Sequence, residues 1–153
     1  MVYDEPFWRN DGFSGQSSEP SSASEVTIDA SPRSGAPGVL ASFTFSGVAT
    51  RMDSMDPTAR RDAVLAALMT RFGPRAGAPA AFVETAWWNE EWTRGCSFAH
   101  LRPGILSRYG PLLRAPWGRV HLAGTETATV SHGAIDGAVR SGGRAAAEIL
   151  SLR

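Results

Sequence analysis

Residues 119–150 read RVHLAGTETATVSHGAIDGAVRSGGRAAAEIL, and this stretch decides the fold of the C-terminal part of the chain. Val120 and Leu122 alternate with polar neighbours, which predicts a short strand entering a half-buried sheet. Gly124 follows, where glycine permits a sharp backbone turn that threonine and glutamate oxygens crowd. The sequence therefore predicts a strand and a turn that lead into a helix.

That helix is predicted to begin at about Ala134, with Ser131 or His132 as the capping residue. Its apolar residues recur at helical spacing, at Ile135, Ala138, Val139, Gly142, Ala145, Ala146, Ile149 and Leu150. The free N–H groups at such a helix start can bind electron-rich oxygen atoms, although many strand–glycine–helix units only pack a helix against a sheet. The pattern alone leaves both interpretations open.

The preceding residues predict a mixed α/β order. Strands are expected over residues 2–8, 26–28, 39–45 and 82–88, with an exposed serine-rich loop over 17–24. A helix is expected after Asp56 as the N-cap, with Pro57 as its first residue and Gly73-Pro74 at its end. Its apolar stripe predicts core packing and consists of Val64, Leu65, Leu68, Met69 and Phe72.

Composition argues against several classes of protein. The formal net charge is zero, which argues against an electrostatic nucleic-acid binder. No apolar run approaches the ~20 residues of a membrane helix, so no membrane anchor is expected. The three histidines lack metal-like spacing with one another or with Cys96, so no metal site is predicted. A single cysteine, together with the lack of a basic and then apolar leader after Met1, favours a cytoplasmic protein.

Longer motifs resemble the flavin-dependent amine oxidases, the monoamine oxidase family. AGTETAT at 123–129 and GAIDGAVRSGGRAAAEIL at 133–150 are similar to the family's C-terminal FAD-binding segment. RGCSFAHLRPGILSRYG at 94–110 resembles the stretch that brings a cysteine towards the flavin, and YDEPFWRNDGFSGQ at 3–16 resembles a substrate-domain strand. The resemblance implies the C-terminal portion of a two-domain α/β (mixed α+β) fold. Residues 1–110 would be part of the substrate-binding domain, and residues 111–153 the FAD-binding strand–turn–helix segment.

The resemblance also implies FAD as the cofactor and assigns roles to individual residues. Glu126 falls on an acid that accepts hydrogen bonds from ribityl hydroxyls, and the helix opening supplies amides that face the pyrimidine edge of the ring. Cys96 falls on the cysteine that some members link covalently to the flavin, while other members hold FAD non-covalently. From the residues alone, Cys96 also fits a small buried hydrophobe and Glu126 a capping acid. The implied cofactor-binding residues are Trp87, Cys96, Gly124, Thr125, Glu126, Thr127, Gly133, Ala134 and Ile135.

Several features depart from the family pattern. The family commonly flanks the substrate amine with two tyrosines, and here those substrate-pocket positions are Ser97 and Ala134. The chain has no lysine, which the family places near the reactive flavin nitrogen, and no G-x-G-x-x-G turn to hold the FAD pyrophosphate. We therefore expect no catalytic residue in this chain. We expect the chain to be the C-terminal part of an amine oxidase that is inactive alone.

For a complete enzyme, the resemblance implies oxidation of an amine to an imine, hydrolysis of the imine to an aldehyde, and release of peroxide from oxygen. The partners would be the amine and oxygen, together with a separate chain supplying the N-terminal FAD-binding half if the enzyme is split. The alternative is a non-catalytic gene remnant or interaction module that keeps the fold signature.

Overall fold

The computed structural model describes residues 1–95 and 101–152. The chain folds as two compact units, Met1–Thr85 and Ala86–Arg153. The boundary between these units separates two compact parts of the chain and does not assign a function to either. The functional segments 1–110 and 111–153 therefore stay a prediction. No helix within the described residues is long and apolar enough to cross a membrane.

The first unit contains a four-stranded antiparallel sheet with the order β1-β4-β3-β2. Its strands are β1 (Val2–Tyr3), β2 (Ser17–Ser18), β3 (Val26–Asp29) and β4 (Gly38–Phe43). The predicted strand over 26–28 is confirmed as β3, and the one over 39–45 is confirmed as β4 as far as Phe43, because Phe45 is already the N-cap of the next helix. The two strands pair in register from Val26 opposite Phe43 to Asp29 opposite Leu40. The predicted exposed loop over 17–24 is wrong in its first two residues, because these pair with β3, and at Ser24, which is buried.

The predicted strand over residues 2–8 is also wrong beyond Tyr3. Pro6 has no N–H to donate to a sheet, and the chain turns there into the one-turn helix α1 (Phe7–Asn10). Phe7 and Trp8 are buried and make edge-to-face contacts with Tyr3 and with each other. Burial of these rings, rather than local propensity, therefore decides the conformation of this segment.

Helix α3 (Pro57–Phe72) forms the other side of the core and matches its predicted caps. The Asp56 carboxylate accepts hydrogen bonds from the backbone N–H groups of Thr58 and Ala59, each at 3.0 Å. The prediction of core packing is wrong for Met69 of the stripe. Its side chain is 40% exposed, and its sulfur packs against Gly77 in the following 3₁₀ turn, Pro74–Gly77. The buried members of the stripe are Val64, Leu65, Leu68 and Phe72.

Two further differences concern short elements. Helix α2 (Ser46–Asp53) is not predicted, since it begins without a side-chain cap and buries only Ala49 and Met52. The strand expected over 82–88 is absent from that described segment. An isolated bridge to Val2 is formed by Ala81, one residue before the segment, and a 3₁₀ turn lies at Trp87–Asn89. A strand needs a partner backbone along its length. Val2 pairs with β4 on one side, and on its other side the bridge to Ala81 is isolated and does not continue into residues 82–88.

The second unit contains α4 (Ile105–Tyr109), 3₁₀ turns at Gly110–Leu113 and Thr125–Thr127, and the long helix α5 (Ile135–Leu150). The predicted strand at Val120 and Leu122 is wrong. Val120 forms only an isolated bridge with Trp117, across the turn at Gly118 and Arg119. Without a second strand beside it, an alternating pattern cannot form a ladder.

Helix α5 confirms the predicted helix but not its cap. Ala134 is the N-cap residue and makes no side-chain capping bond, while its own N–H donates to the Ser131 carbonyl at 3.0 Å. The buried residues of α5 are Gly137, Ser141 and Ala145. Among the apolar residues at helical spacing, Ala145 is buried, whereas Ile135 is 86% and Val139 is 68% exposed.

Candidate functional site

The turn at residues 124–127 depends on the conformation of Gly124. Its φ of 132° and ψ of 166° lie in a region that essentially only glycine adopts. The carbonyl of Gly124 accepts hydrogen bonds from both the backbone N–H and the hydroxyl of Thr127, each at 3.0 Å. The turn is therefore closed by two bonds to one oxygen.

This 124–127 turn is attached to α5 by hydrogen bonds and by close backbone approach. The N–H of Gly124 donates to the Ser141 hydroxyl at 2.9 Å, and that hydroxyl donates to the Ala138 carbonyl at 2.8 Å. Gly137 lies so close to the loop that precedes α5 that an added Cβ would be 2.9 Å from the Ser131 carbonyl carbon and 3.0 Å from the Ala128 Cβ. The small face of α5 thus permits the helix to dock directly on the turn and the loop that follows it.

The start of α5 lies beside the same turn. The Thr125 hydroxyl donates to the Ala134 carbonyl at 3.2 Å, which joins the turn to the N-cap residue of the helix. Ala134 and Ile135 are exposed, and Gly133 turns the chain with a φ of 81°. The structure therefore brings seven of the predicted site residues together, namely Gly124, Thr125, Glu126, Thr127, Gly133, Ala134 and Ile135.

Charge at this surface comes from two acids. Glu126 is partly buried and its carboxylate lies over Gly124, where an added Cβ would be 3.3 Å from Oε2. Asp136, in the first turn of α5, accepts a 2.7 Å hydrogen bond from Arg140. Bonds from Arg140 and then from Ser131 hold the pKa of Asp136 below its usual value. A carboxylate there also complements the positive end of the helix dipole.

Of the remaining predicted residues, only Trp87 is described, and no described hydrogen bond joins it to this assembly. Trp87 is 46% exposed, and its described hydrogen bonds are those of its own turn, from the N–H groups of Glu90 and Gly95. Cys96 and Ser97 lie outside the described residues. Of the two predicted substrate-pocket positions, Ala134 alone is described. It lies at the exposed helix start.

Sequence reasoning missed a polar network on the opposite side of the turn. Arg144 donates to the Leu122 carbonyl at 2.6 Å and to Glu148 at 2.5 Å, and Glu148 is also bonded to His121 at 2.8 Å. Hydrogen bonds from His121 and then from Arg144 hold the pKa of Glu148 below its usual value. The i,i+4 spacing of Arg144 and Glu148 was a visible signal for this pair. The contacts of Arg144 with the turn could not be predicted from this spacing, because they depend on which face of α5 docks on the turn.

The exposed surface combines apolar and hydrogen-bonding groups of the kind that one edge of a flavin would need. An isoalloxazine ring is apolar over its faces and polar along its pyrimidine edge, and binding sites for such ligands combine apolar walls with a few placed polar groups. Here the free N–H groups of a helix start adjoin the exposed side chain of Ile135 and the oxygen-rich turn. No group of His, Cys, Asp and Glu that could hold a metal ion occurs among residues 1–95 and 101–152.

Comparisons with known proteins identify the family of the chain. Residues 1–150 match the family model of the flavin containing amine oxidoreductases. The chain is 38% identical to the "Probable flavin-containing monoamine oxidase A" of Dictyostelium discoideum over 97% of its own length and 32% of that protein. It is 37% identical to the L-amino acid dehydrogenase of a Synechocystis strain, over 99% of this chain and 32% of that one.

A solved structure of a redesigned putrescine oxidase is also similar. Its TM-score with this chain is 0.92 at 37% identity, over 99% of this chain and 34% of that one. The chain thus spans about a third of the length of the relatives it matches, with the fold of the corresponding portion of putrescine oxidase. The mixed α/β fold and its expected place within a larger family fold are therefore confirmed. The chain belongs to the family of flavin containing amine oxidoreductases.

Proposed function

We propose that this chain is the portion of an FAD-dependent amine oxidase that contacts the ribityl chain and ring of the flavin and contributes part of the substrate domain. The observation that carries the proposal is the bond from the Thr125 hydroxyl to the Ala134 carbonyl, which places the 124–127 turn against the helix start. Two elements with different roles in the resemblance thus form one exposed surface.

Each part of this surface has a chemical role in the proposal. Bound flavin supplies the hydride acceptor for oxidation of an amine to an imine, which water then hydrolyses. The carboxylate of Glu126 accepts hydrogen bonds from ribityl hydroxyls, since an ionised carboxylate only accepts. The N–H groups at Ile135 and the following residue point out of the helix start, where they stabilise negative charge at the pyrimidine edge.

The substrate is proposed to be an amine that needs no aromatic cage. Ala134 presents only a methyl group at a position where tyrosine is common in the family, and Ser97 departs in the same way. Two relatives are named for putrescine and for L-amino acids, so aliphatic amines and amino acids both belong in the test. One relative is named a dehydrogenase, so an artificial electron acceptor should be tested beside oxygen.

The 153-residue chain alone is proposed to be inactive, because it has no G-x-G-x-x-G turn for the FAD pyrophosphate. Losing several charge-assisted hydrogen bonds of about 1.5–3 kcal/mol each lowers cofactor affinity by orders of magnitude. Nothing in the comparisons indicates that a separate chain supplies this half.

A chimera tests the proposal. In it, this chain replaces the matching third of putrescine oxidase, and its flavin absorbance after gel filtration is compared with that of the chain alone. Peroxide release and dye reduction are then measured with diamines, monoamines and L-amino acids. We expect a yellow chimera and a colourless isolated chain. A folded chimera without flavin would contradict the proposal and favour a non-catalytic module, and stoichiometric flavin on the isolated chain would contradict its inactivity alone.

A further inference from the structure

Arg144 holds the 124–127 turn from both ends. It lies on α5, and its guanidinium reaches the segment before the turn at the Leu122 carbonyl, 2.6 Å away. The same nitrogen is 3.4 Å from the Thr127 hydroxyl, at the end of the turn. One planar group with five donors can serve several acceptors at fixed angles, which a lysine ammonium cannot reproduce.

The guanidinium is itself held in place. Glu148, one helical turn further along α5, accepts from Nη1 of Arg144 at 2.5 Å with one carboxylate oxygen. Its other oxygen accepts from Nδ1 of His121 at 2.8 Å, because a carboxylate can only accept. The His121 side chain is 4% exposed, so this end of the network is shielded from water. An isolated i,i+4 pair on a helix surface has none of these added bonds.

Ser141 and Arg144 contact different parts of the turn. The N–H of Gly124 is bonded to Ser141, and the carbonyl of Gly124 accepts from Thr127, whose hydroxyl lies within reach of Arg144. The N–H of Gly124 is therefore bonded to α5 directly, and its carbonyl is connected to α5 only through Thr127. The Thr125 and Glu126 side chains are left to face the helix start and its surroundings.

We propose that Arg144 is a positioning residue for the 124–127 turn, with Glu148 and His121 orienting its guanidinium. The relevance of this network to catalysis rests on the proposed function, in which the turn contacts flavin. The effect of the network on the turn is independent of the proposed function and can be measured without a cofactor. The network also predicts acid sensitivity, because ionised Glu148 is required and its lowered pKa means that the turn loosens only as pH falls through that value.

The test is amide hydrogen exchange by NMR on the 153-residue chain. The informative amides are those of Gly124, Thr127 and Ala128, each of which donates a hydrogen bond within the site. Arg144→Ala should raise their exchange about tenfold or more, since bonds to a charged group are lost. Arg144→Lys should restore only part of the protection. His121→Asn, which keeps a donor, should retain more protection than His121→Ala.

Arg140→Ala is the matched control. Arg140 is also on α5 and in an i,i+4 pair, with Asp136, and no described hydrogen bond joins its side chain to the turn. It should leave exchange at the turn unchanged. Unchanged exchange in Arg144→Ala would overturn the proposal. So would a uniform rise along the whole of α5 with a lower unfolding midpoint, because that pattern indicates a purely structural role.

A flavin measurement on the chimera separates this proposal from the proposed function. If Arg144→Ala loosens the turn and lowers flavin retention, both are supported. If the turn loosens but flavin retention and the flavin absorption spectrum stay unchanged, the positioning role is supported and the flavin contact at the turn is contradicted.

Discussion

Gly137→Ala is expected to separate the start of α5 from the loop that precedes it. A Cβ at this position would overlap the Ser131 carbonyl oxygen and lie 2.9 Å from its carbon. These are backbone atoms and cannot rotate away as a flexible side chain can. The helix start must therefore shift, and with it the N–H groups of Ile135 and Asp136 that are proposed to face the flavin.

Two opposing effects set the magnitude. Alanine favours a helix interior over glycine by about 1 kcal/mol. Overpacking of a close contact costs about 1–3 kcal/mol. Gly143→Ala on the same helix provides the first effect without the second, because nothing lies within 4 Å of its added Cβ. We therefore expect Gly143→Ala to stabilise α5 by up to about 1 kcal/mol, and Gly137→Ala to be about 1–3 kcal/mol less stable than this control.

Hydrogen exchange of the α5 amides measures the opening free energy of this helix directly. Flavin retention in the chimera should fall for Gly137→Ala and stay unchanged for Gly143→Ala. If Gly137→Ala instead stabilises α5 as much as Gly143→Ala does, the close approach to Ser131 does not limit the helix, and the reasoning from it is wrong.

Three further predictions concern other residues. Glu126→Ala should weaken flavin retention in the chimera, whereas Glu91→Ala, at an exposed position, should not; equal retention in both would refute the ribityl role. If Cys96 is the covalent link, acid-precipitated chimera stays yellow and Cys96→Ser releases the colour, so colour lost from the unmutated protein would exclude covalency. Asp29→Asn should destabilise the first unit by about 1–3 kcal/mol in urea unfolding at neutral pH, since the Asp29 carboxylate accepts from Trp8 and Arg9 at 2.9 and 2.7 Å. Burial acts to raise the pKa of Asp29, but these bonds and those from Ser31 prevail and lower it, so the difference from wild type should shrink as pH falls below the ordinary carboxyl pKa. A difference independent of pH would contradict this.

Elements whose signals are local could be predicted from the sequence. Helix α3 has its cap at Asp56, its first residue at Pro57 and its end at Gly73, and each acts within a few residues of its position. The strand expected at Val120 and Leu122 failed because a strand requires a partner that the pattern does not specify. The strand predicted at Phe7 and Trp8 is helix α1 instead, because burial of aromatic rings overrides local preference.

The candidate site divides in the same way. The turn at Gly124 and the helix start at Ala134 were predicted from motifs, and their adjacency is observed. Ser141 and Arg144 were not predicted, because their roles depend on which face of α5 docks on the turn. Hydrophobic periodicity favoured the face of Ile135 and Val139, whereas a direct approach of backbone to backbone requires small residues.

The two faces of α5 therefore serve different purposes. The face of Gly137, Ser141 and Ala145 is small enough for the helix to dock on the turn, and its hydroxyl satisfies a turn amide. The opposite positions keep the amphipathic pattern of a packed helix, yet Ile135 and Val139 are exposed in the second unit. A contiguous exposed apolar surface usually marks a site that something else covers. Under the proposed function, that surface is covered by the flavin ring and by the flavin-binding half of an oxidase about three times this length. The periodicity of this helix is then a signal for the assembled site, which is why it predicted the existence of α5 correctly but did not specify the face that docks on the turn.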